Sequence, residues 1–203
     1  MPQIGTFNQN IKFSGKVGGY RRIFEGHTPL LVGGFNWDLN DLPAHGNVLP
    51  AGTPVLVDEE KRTIKPLYGF KVIEQATSST TLKVEKIFAG TRAKVGMTIS
   101  GQKVSAIDSS NESFDVLTMA AAVTAEKNSV VYGTMDAVDI TAKVNGLTPY
   151  DICLDPNAVS ADGDVAWNMM NAPVLERRMP PITDEVKKAL ITNGCFFRFS
   201  NRK

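Results

Sequence analysis

Cysteine is scarce in this chain of 203 residues. Only Cys153 and Cys195 are present, 42 positions apart and without CxxC spacing, so neither a disulfide framework nor a zinc site has its ligand pattern. The two thiols read as reduced core residues. Histidine is equally rare: His27 stands between Gly26 and Thr28 and His45 precedes Gly46. Neither has a sequence-local acid or nucleophile, and no GxSxG elbow occurs. Leu30-Leu31-Val32-Gly33-Gly34 resembles a phosphate loop only superficially, because no Gly-Lys-Ser/Thr or GxGxxG follows. Asp108-Ser109-Ser110-Asn111-Glu112 is rich in oxygen but lacks the regular spacing and central glycine of a calcium loop, and reads as a solvated hairpin loop. The paired carboxylates Asp58-Glu59 and Asp184-Glu185 fall at a turn tip and a helix start, where solvation and dipole compensation account for them. The chain is therefore read as non-enzymatic, with no catalytic, cofactor-binding or metal-binding residues.

Charge of one sign is lacking too. Lys+Arg 22 against Asp+Glu 21 leaves a formal net charge of +1, and no like-charge run exceeds the triplet Asp58 to Glu60. Nothing in this balance calls for nucleic acid or an anionic membrane. No window approaches the roughly 18 apolar residues of a membrane helix. The opening MPQIGTFNQNIKFSGKVGG has no signal-type apolar run, so the protein is expected to stay where it is made.

What the chain does have is 42% hydrophobic residues and 17 glycines, enough for a sizeable core. The clearest stretch is Gly46 to Ile73. Pro50-Ala51-Gly52 supplies turn chemistry, and Thr53 to Val57 reads as a strand with Pro54 at its start or on an edge. Asp58 to Lys61 makes a charged hairpin tip, and the chain returns through Tyr68 to Ile73. Downstream, Thr81 to Phe88, Val95 to Ile99, Val104 to Ile107, Phe114 to Met119 and Ser129 to Gly133 read as short strands. Gln75 to Thr80 reads as a polar connector, and Ala120 to Glu126 as a short helical turn. Asn145-Gly146 reads as a turn, with strands at Tyr150 to Leu154 and Val165 to Met169.

Strands recurring about every ten residues predict a mainly β protein, a sandwich or barrel, with one short C-terminal helix. That helix is expected over 183–192, capped by Thr183, with Asp184 and Glu185 at its start and Asn193-Gly194 at its end. Cys195, Phe197 and Phe199 alternate with Phe196 and Arg198 in a closing strand that is apolar on both faces and requires cover from two sides. The second cover comes either from the chain's own β domain or from a second copy.

Residues 1–45 read differently. Phe7, Phe13, Tyr20, Phe24, Phe35 and Trp37 are scattered among glycines with no helical or strand period, yet such apolar area is costly to leave in water. This is expected to be an extended arm that packs along its own domain or, the favoured reading, across a neighbouring subunit or the capsid. The expected division is thus an arm at 1–45, a β domain at 46–141 and a C-terminal segment at 142–203. Arg177 and Arg178, beside Glu176, are candidates for interface ion pairs, and Phe196 for the interface itself.

The run GNVLPAGTPVLVDEEKRTIKPL, Gly46 to Leu67, resembles the opening of tailed-phage head decoration and head fibre proteins. VLERRMPPITDEVKKAL, Val174 to Leu190, with the closing strand, is similar to the tail end of head fibre proteins from phages of gut Bacteroidales, and ISGQKVSAIDSSNESFDVLTM, Ile99 to Met119, fits their middle. The resemblance covers about a third of the chain directly. It implies a structural virion component on the capsid surface, made in the host cytoplasm, bound to the major capsid protein and to copies of itself, as a trimer rather than a dimer. A host-surface glycan is the further partner considered for an exposed tip, which the sequence leaves open. The rival reading is a carbohydrate- or host-surface-binding β module, for which Trp37, Trp167 and Tyr132 are the available aromatics.

Overall fold

Extended, β-branched sequence between turn residues yields the expected architecture. The computed structural model describes residues 11–12, 23–26, 29–44, 46–136, 138–154, 162–166 and 172–201. Along the chain run β1 (Ile11–Lys12), β2 (Leu30–Trp37), β3 (Val48–Leu49), β4 (Pro54–Asp58), β5 (Thr63–Pro66) and β6 (Tyr68–Lys71). They are followed by β7 (Ala76–Glu85), β8 (Thr98–Ile99), β9 (Gln102–Asp108), β10 (Phe114–Ala125) and β11 (Val130–Thr134). The last third holds β12 (Gly146–Leu147), β13 (Ile152–Leu154), β14 (Asp162–Ala166), β15 (Ala172–Leu175), a 3-10 turn (Glu176–Arg178), α1 (Asp184–Thr192) and β16 (Phe197–Ser200).

Five strands close a barrel in the order β12-β14-β2-β5-β4, with β2 and β5 parallel and the other pairs antiparallel. A second sheet runs β6-β11-β8-β9-β10-β7, and an isolated bridge between Val72 and Val84 draws its two edges together. The two bodies share one continuous path: β5 leaves the barrel and enters the six-stranded sheet as β6, with only Leu67 between them. The Leu67 N–H donates to the Pro54 carbonyl at 2.8 Å, which holds the crossover against β4. The remaining strands form a small sheet, β1-β13-β3, and the parallel pair β15-β16, connected through α1.

The buried turn at Pro50-Ala51-Gly52 fixes where these pieces meet. Its amide hydrogens are cut off from water and so must find partners in the protein. Ala51 N–H donates to Asp151 Oδ1 at 2.7 Å, Gly52 N–H to the Thr148 carbonyl at 2.8 Å and Thr53 N–H to Thr148 Oγ1 at 2.9 Å. The Thr53 and Thr148 hydroxyls both donate to the Pro50 carbonyl. Next to this clasp, Asn145 extends the β4–β12 ladder with its side chain: Val57 N–H donates to Oδ1 at 2.8 Å and Nδ2 donates to the Val57 carbonyl at 3.0 Å. The amide imitates a peptide group. The Asn-Gly pair is accordingly not the turn its sequence predicts, and Gly146 is already in β12.

Three other expectations are corrected. Ala120 to Ala125 is strand rather than helical turn, because β10 continues to pair with β7 past a bulge between Thr118 and Val123. The expected connector at 75–80 belongs largely to β7, whose Ala76 pairs with Ala125. Most consequentially, the expected arm contributes β2 to the barrel, paired on one side with β14 and on the other with β5. Phe35 and Trp37, two residues apart on one face, enter the chain's own core, Trp37 being 4% exposed. Phe24 is buried as well, its ring 6.1 Å from that of Phe197. These three aromatics therefore find their cover within the same chain rather than on a neighbouring subunit. Phe7, Phe13, Tyr20 and Trp167 lie outside the described residues. The barrel draws strands from all three of the expected units, since β2 comes from the first, β4 and β5 from the second, and β12 and β14 from the third.

The C-terminal block packs as its pattern predicts. Thr183 caps α1, and its side chain accepts from Val186 N–H. Val186, Ala189 and Leu190 are buried in a second core with Leu67, Leu147, Cys195 and Phe197.

Two glycines are required by close approach. Gly52 has φ +83°, and a Cβ there would lie 2.6 Å from Met179 Cβ. Gly69 has an ordinary φ, but a Cβ would run into the Pro181 carbonyl oxygen. Gly52→Ala and Gly69→Ala should each lower the unfolding free energy by about 2–3 kcal/mol. Gly101→Ala, where only the φ of +78° opposes a side chain and no atom lies within 4 Å, should cost about 1 kcal/mol. Urea denaturation of the three variants checks the ranking; losses at Gly52→Ala and Gly69→Ala no larger than that at Gly101→Ala would show that close packing is not the constraint.

Candidate functional site

The residues with the most altered chemistry gather around β6, at the crossover between the two curled sheets. Asp41, in the turn after β2, is only 6% exposed. Burial, together with the neighbouring charges of Asp38 and Asp136, raises its carboxyl from 3.8 to about 6, against the smaller opposing pull of Lys65 and Lys94. Its carbonyl accepts from the Tyr68 hydroxyl at 2.5 Å. Burial, and then the charge of Asp41, pushes that phenol well above its ordinary value, so it acts as a fixed donor. Lys94 donates to the Asn40 carbonyl at 2.7 Å and the Leu42 carbonyl at 3.1 Å, tying the same turn down, and burial lowers its own pKa. Lys65 is held above its ordinary range chiefly by its hydrogen bond to Asp136.

Next to the same strand lies Arg92, 2% exposed. Its Nη2 donates to the Gly69 carbonyl at 2.8 Å, and its guanidinium sits 5.0 Å above the Phe70 ring. Nη1 finds no hydrogen-bond partner among the described residues. Burial lowers the guanidinium to about 10, with Tyr68 and Asp115 pulling the other way; it keeps its charge at neutral pH. Asp115, also buried, is answered by Lys86 at 3.1 Å and by the Thr91 hydroxyl at 3.0 Å. The same Lys86 ammonium donates to the carbonyls of Ser109 and Asn111 at 2.9 and 2.7 Å. The oxygen-rich loop 108–112 thus has a lysine of its own chain where its sequence invites comparison with a cation loop.

Among the described residues no group of three or more His, Cys, Asp or Glu side chains is placed to hold a metal ion, and His27 and His45 are outside them. Cys195 is buried, with Sγ 2.6 Å from the Asn145 carbonyl, while Cys153 is half-buried on β13, and neither is in a disulfide. Of the aromatics proposed for sugar stacking, Trp37 is in the core, and the half-buried Tyr132 has its hydroxyl engaged with the hydroxyl and N–H of Thr183 at 2.9 and 2.7 Å.

The expected interface residues divide by face. Arg177 and Arg178 are exposed on the 3-10 turn, whereas Glu176 is paired within the chain to Lys187 at 2.7 Å. Along the closing strand Cys195 and Phe197 are buried and Phe199 half-buried beneath Lys187, whose ammonium lies 5.4 Å from that ring. Phe196 faces outward at 43% exposure, as does Ile191 of α1. No local pattern announced Asp41 or Arg92. Apart from Asp38, the partners that set their properties lie 22 to 95 positions away in the chain, and the nearest sequence signal is the carboxylate spacing Asp38-Leu39-Asn40-Asp41.

Asp41 generates a pH prediction with a definite sign. The unfolded chain releases this proton near 3.8 and the folded protein near 6, so the stabilisation is complete below the lower value and is lost as the pH rises through the upper one. Asp41→Asn should flatten the profile between about pH 4 and pH 6 and raise stability at pH 7 by on the order of 1–2 kcal/mol. Urea midpoints at pH 4.5 and pH 7 check this, and a variant less stable than the parent at pH 7 would reverse the assignment.

No family model matches this chain, and neither a curated protein nor a solved structure is found to be similar to it.

Proposed function

We propose that this protein is a structural component of a tailed-bacteriophage head, a head fibre or capsid decoration protein that attaches to the major capsid protein as a homo-oligomer, as a trimer rather than a dimer. The observation that carries the reading is the meeting of the two blocks on which the resemblance rests. Gly52, in the first block, packs against Met179 of the second together with Ile23, and Gly69, just past the first block, lies against Pro181. Blocks that far apart in sequence and joined by close packing are parts of one architectural device, which is what a shared structural role requires of them. The buried polar groups point the same way, because Thr148, Asp151 and Asp115, with the half-buried Asn145, are all engaged in holding strands and turns together.

The outward face of the C-terminal block suits contact with another chain: Phe196 and Ile191 are exposed, with Arg177, Arg178 and Arg198 also at the surface, and aromatic and arginine side chains are the types enriched at interface cores. The rival glycan-binding reading has less support, since two of its three aromatics are buried or engaged.

Light scattering during size-exclusion chromatography is expected to give a mass about three times the 22.0 kDa of one chain. Phe196→Ser should weaken assembly on the order of thirtyfold for each phenylalanine uncovered, with the β spectrum intact. Co-sedimentation with phage heads bearing the cognate major capsid protein tests attachment. A monomer that stays in the supernatant would defeat the proposal.

A further inference from the structure

A narrow cleft lies where the barrel meets the six-stranded sheet, and its walls are held by one ion pair. Asp41, Lys65 and Pro66 line one side; Thr134, Met135 and Asp136 line the other. The second wall is the turn after β11, in which the Thr134 hydroxyl donates to the carbonyls of Asp136 at 2.5 Å and of Val138 at 3.3 Å. Beyond it Ile140 is buried in the second core, while Val138 between these anchors is exposed. The turn is therefore fixed at Thr134 and at Ile140, and what ties its middle to the barrel is Lys65 bonded to Asp136. The cleft holds room for about one water molecule.

We propose that this arrangement is a pH-sensitive latch: ionisation of Asp41 weakens the hold of Lys65 on Asp136 and frees the turn carrying Asp136 and Val138 from the barrel wall.

The charges facing Asp41 set the direction. Asp38 comes from its own turn, Asp136 from the latch turn, Lys65 from β5 and Lys94 from the segment before β8. The Tyr68 hydroxyl of β6 is committed to the Asp41 carbonyl, and Asp139, also on the latch turn, accepts from Thr141 N–H at 2.8 Å. Lys94 is engaged with two carbonyls, so Lys65 is the cation nearest at hand for a newly charged Asp41. One ammonium then serves two carboxylates that repel each other, and the repulsion acts equally on both. Swinging the turn outward hydrates Asp41 and separates it from Asp136. Burial is the first of the influences that hold its carboxyl near 6 in the closed form and Asp136 the third, after Asp38, which stays with Asp41 on their common turn. The open form binds its proton less tightly, so closure is favoured in acid and declines as the pH rises towards 6, levelling off above it.

Hydrogen exchange of the intact protein, followed by NMR and corrected for the intrinsic pH dependence of exchange, reads the latch directly. Amides of Asp136, Val138 and Asp139 should lose protection on the order of tenfold between pH 4.5 and pH 7, with a midpoint matching the carboxyl carbon titration of Asp41, while strand amides of β4 and β10 stay unchanged. Asp41→Asn should hold the turn protected at both values, and Lys65→Met should leave it unprotected at both. Protection that does not change with pH in the parent chain, or a pH response that persists in Asp41→Asn, overturns the proposal. If either variant fails to fold, the parent comparison alone still decides, because a turn midpoint that departs from the Asp41 titration is equally fatal.

Discussion

The amide hydrogens of a buried turn cannot be left without partners, and in this protein that requirement organises the fold. Ala51, Gly52 and Thr53 are shut away from water, and three of their donors are answered by Thr148 and Asp151, 95 to 100 positions along the chain. An unanswered buried amide costs roughly 1–3 kcal/mol. The turn is therefore stable in its place only when the segment that enters β12 and β13 is also in place. The barrel closes at this point, since β12 lies between β4 and β14, and Asn145 adds two further bonds to Val57 from its side chain. Burial of the turn and closure of the barrel are one event. Because the partners are distant in sequence, the loop-closing entropy precedes the reward, which places this chain among slowly folding, non-local β topologies.

Much of the local structure was legible. The hairpin β4–β5, the return into β6, the strand β9 and the capped helix α1 follow from β-branched runs, turn residues and a Thr183-Asp184-Glu185 start, all of which act within a few positions. What escaped reading depended on partners elsewhere. Ala120-Ala121-Ala122 has the composition of a helix, but β10 is flanked by β7 and β9 and the ladders override the preference. Phe35 and Trp37 sit among glycines with no obvious period over the arm as a whole, yet β2 pairs on both sides and buries the pair at its end. Asn145-Gly146 carries the strongest of short turn signals and still enters a strand, because the asparagine amide finds the Val57 peptide group to bond.

The polar sites were hidden for the same reason, in a sharper form. A carboxyl at the end of Asp38-Leu39-Asn40-Asp41 looks solvated in sequence; only the fold brings Asp136 up against it and removes the water. Arg92 reads as a surface turn residue until β6 supplies the Gly69 carbonyl and the Phe70 ring. Loop 108–112 shows the converse. Its side-chain oxygens are plain in the sequence, but Lys86 of the same chain binds the backbone carbonyls of Ser109 and Asn111 instead, and no spacing rule within the loop reveals it.

Lys65, Tyr68 and Gly69 stand on one continuous extended path, yet they serve different masters: Lys65 ties a surface turn to the barrel, the Tyr68 hydroxyl holds the turn after β2, and the Gly69 carbonyl accepts the buried guanidinium of Arg92. The backbone of that path is fixed independently, by β4 on one side, by β11 on the other and by the Leu67 bond to Pro54 at the crossover. A ladder held on that many sides does not follow when one of its side chains changes partner. Movement of the surface turn is therefore confined to residues outside the ladders, and the barrel and the clasp behind it keep their register. For the capsid role proposed above such separation would have a physical use, since parts that set spacing between subunits would remain rigid while a peripheral turn responded to the surrounding medium.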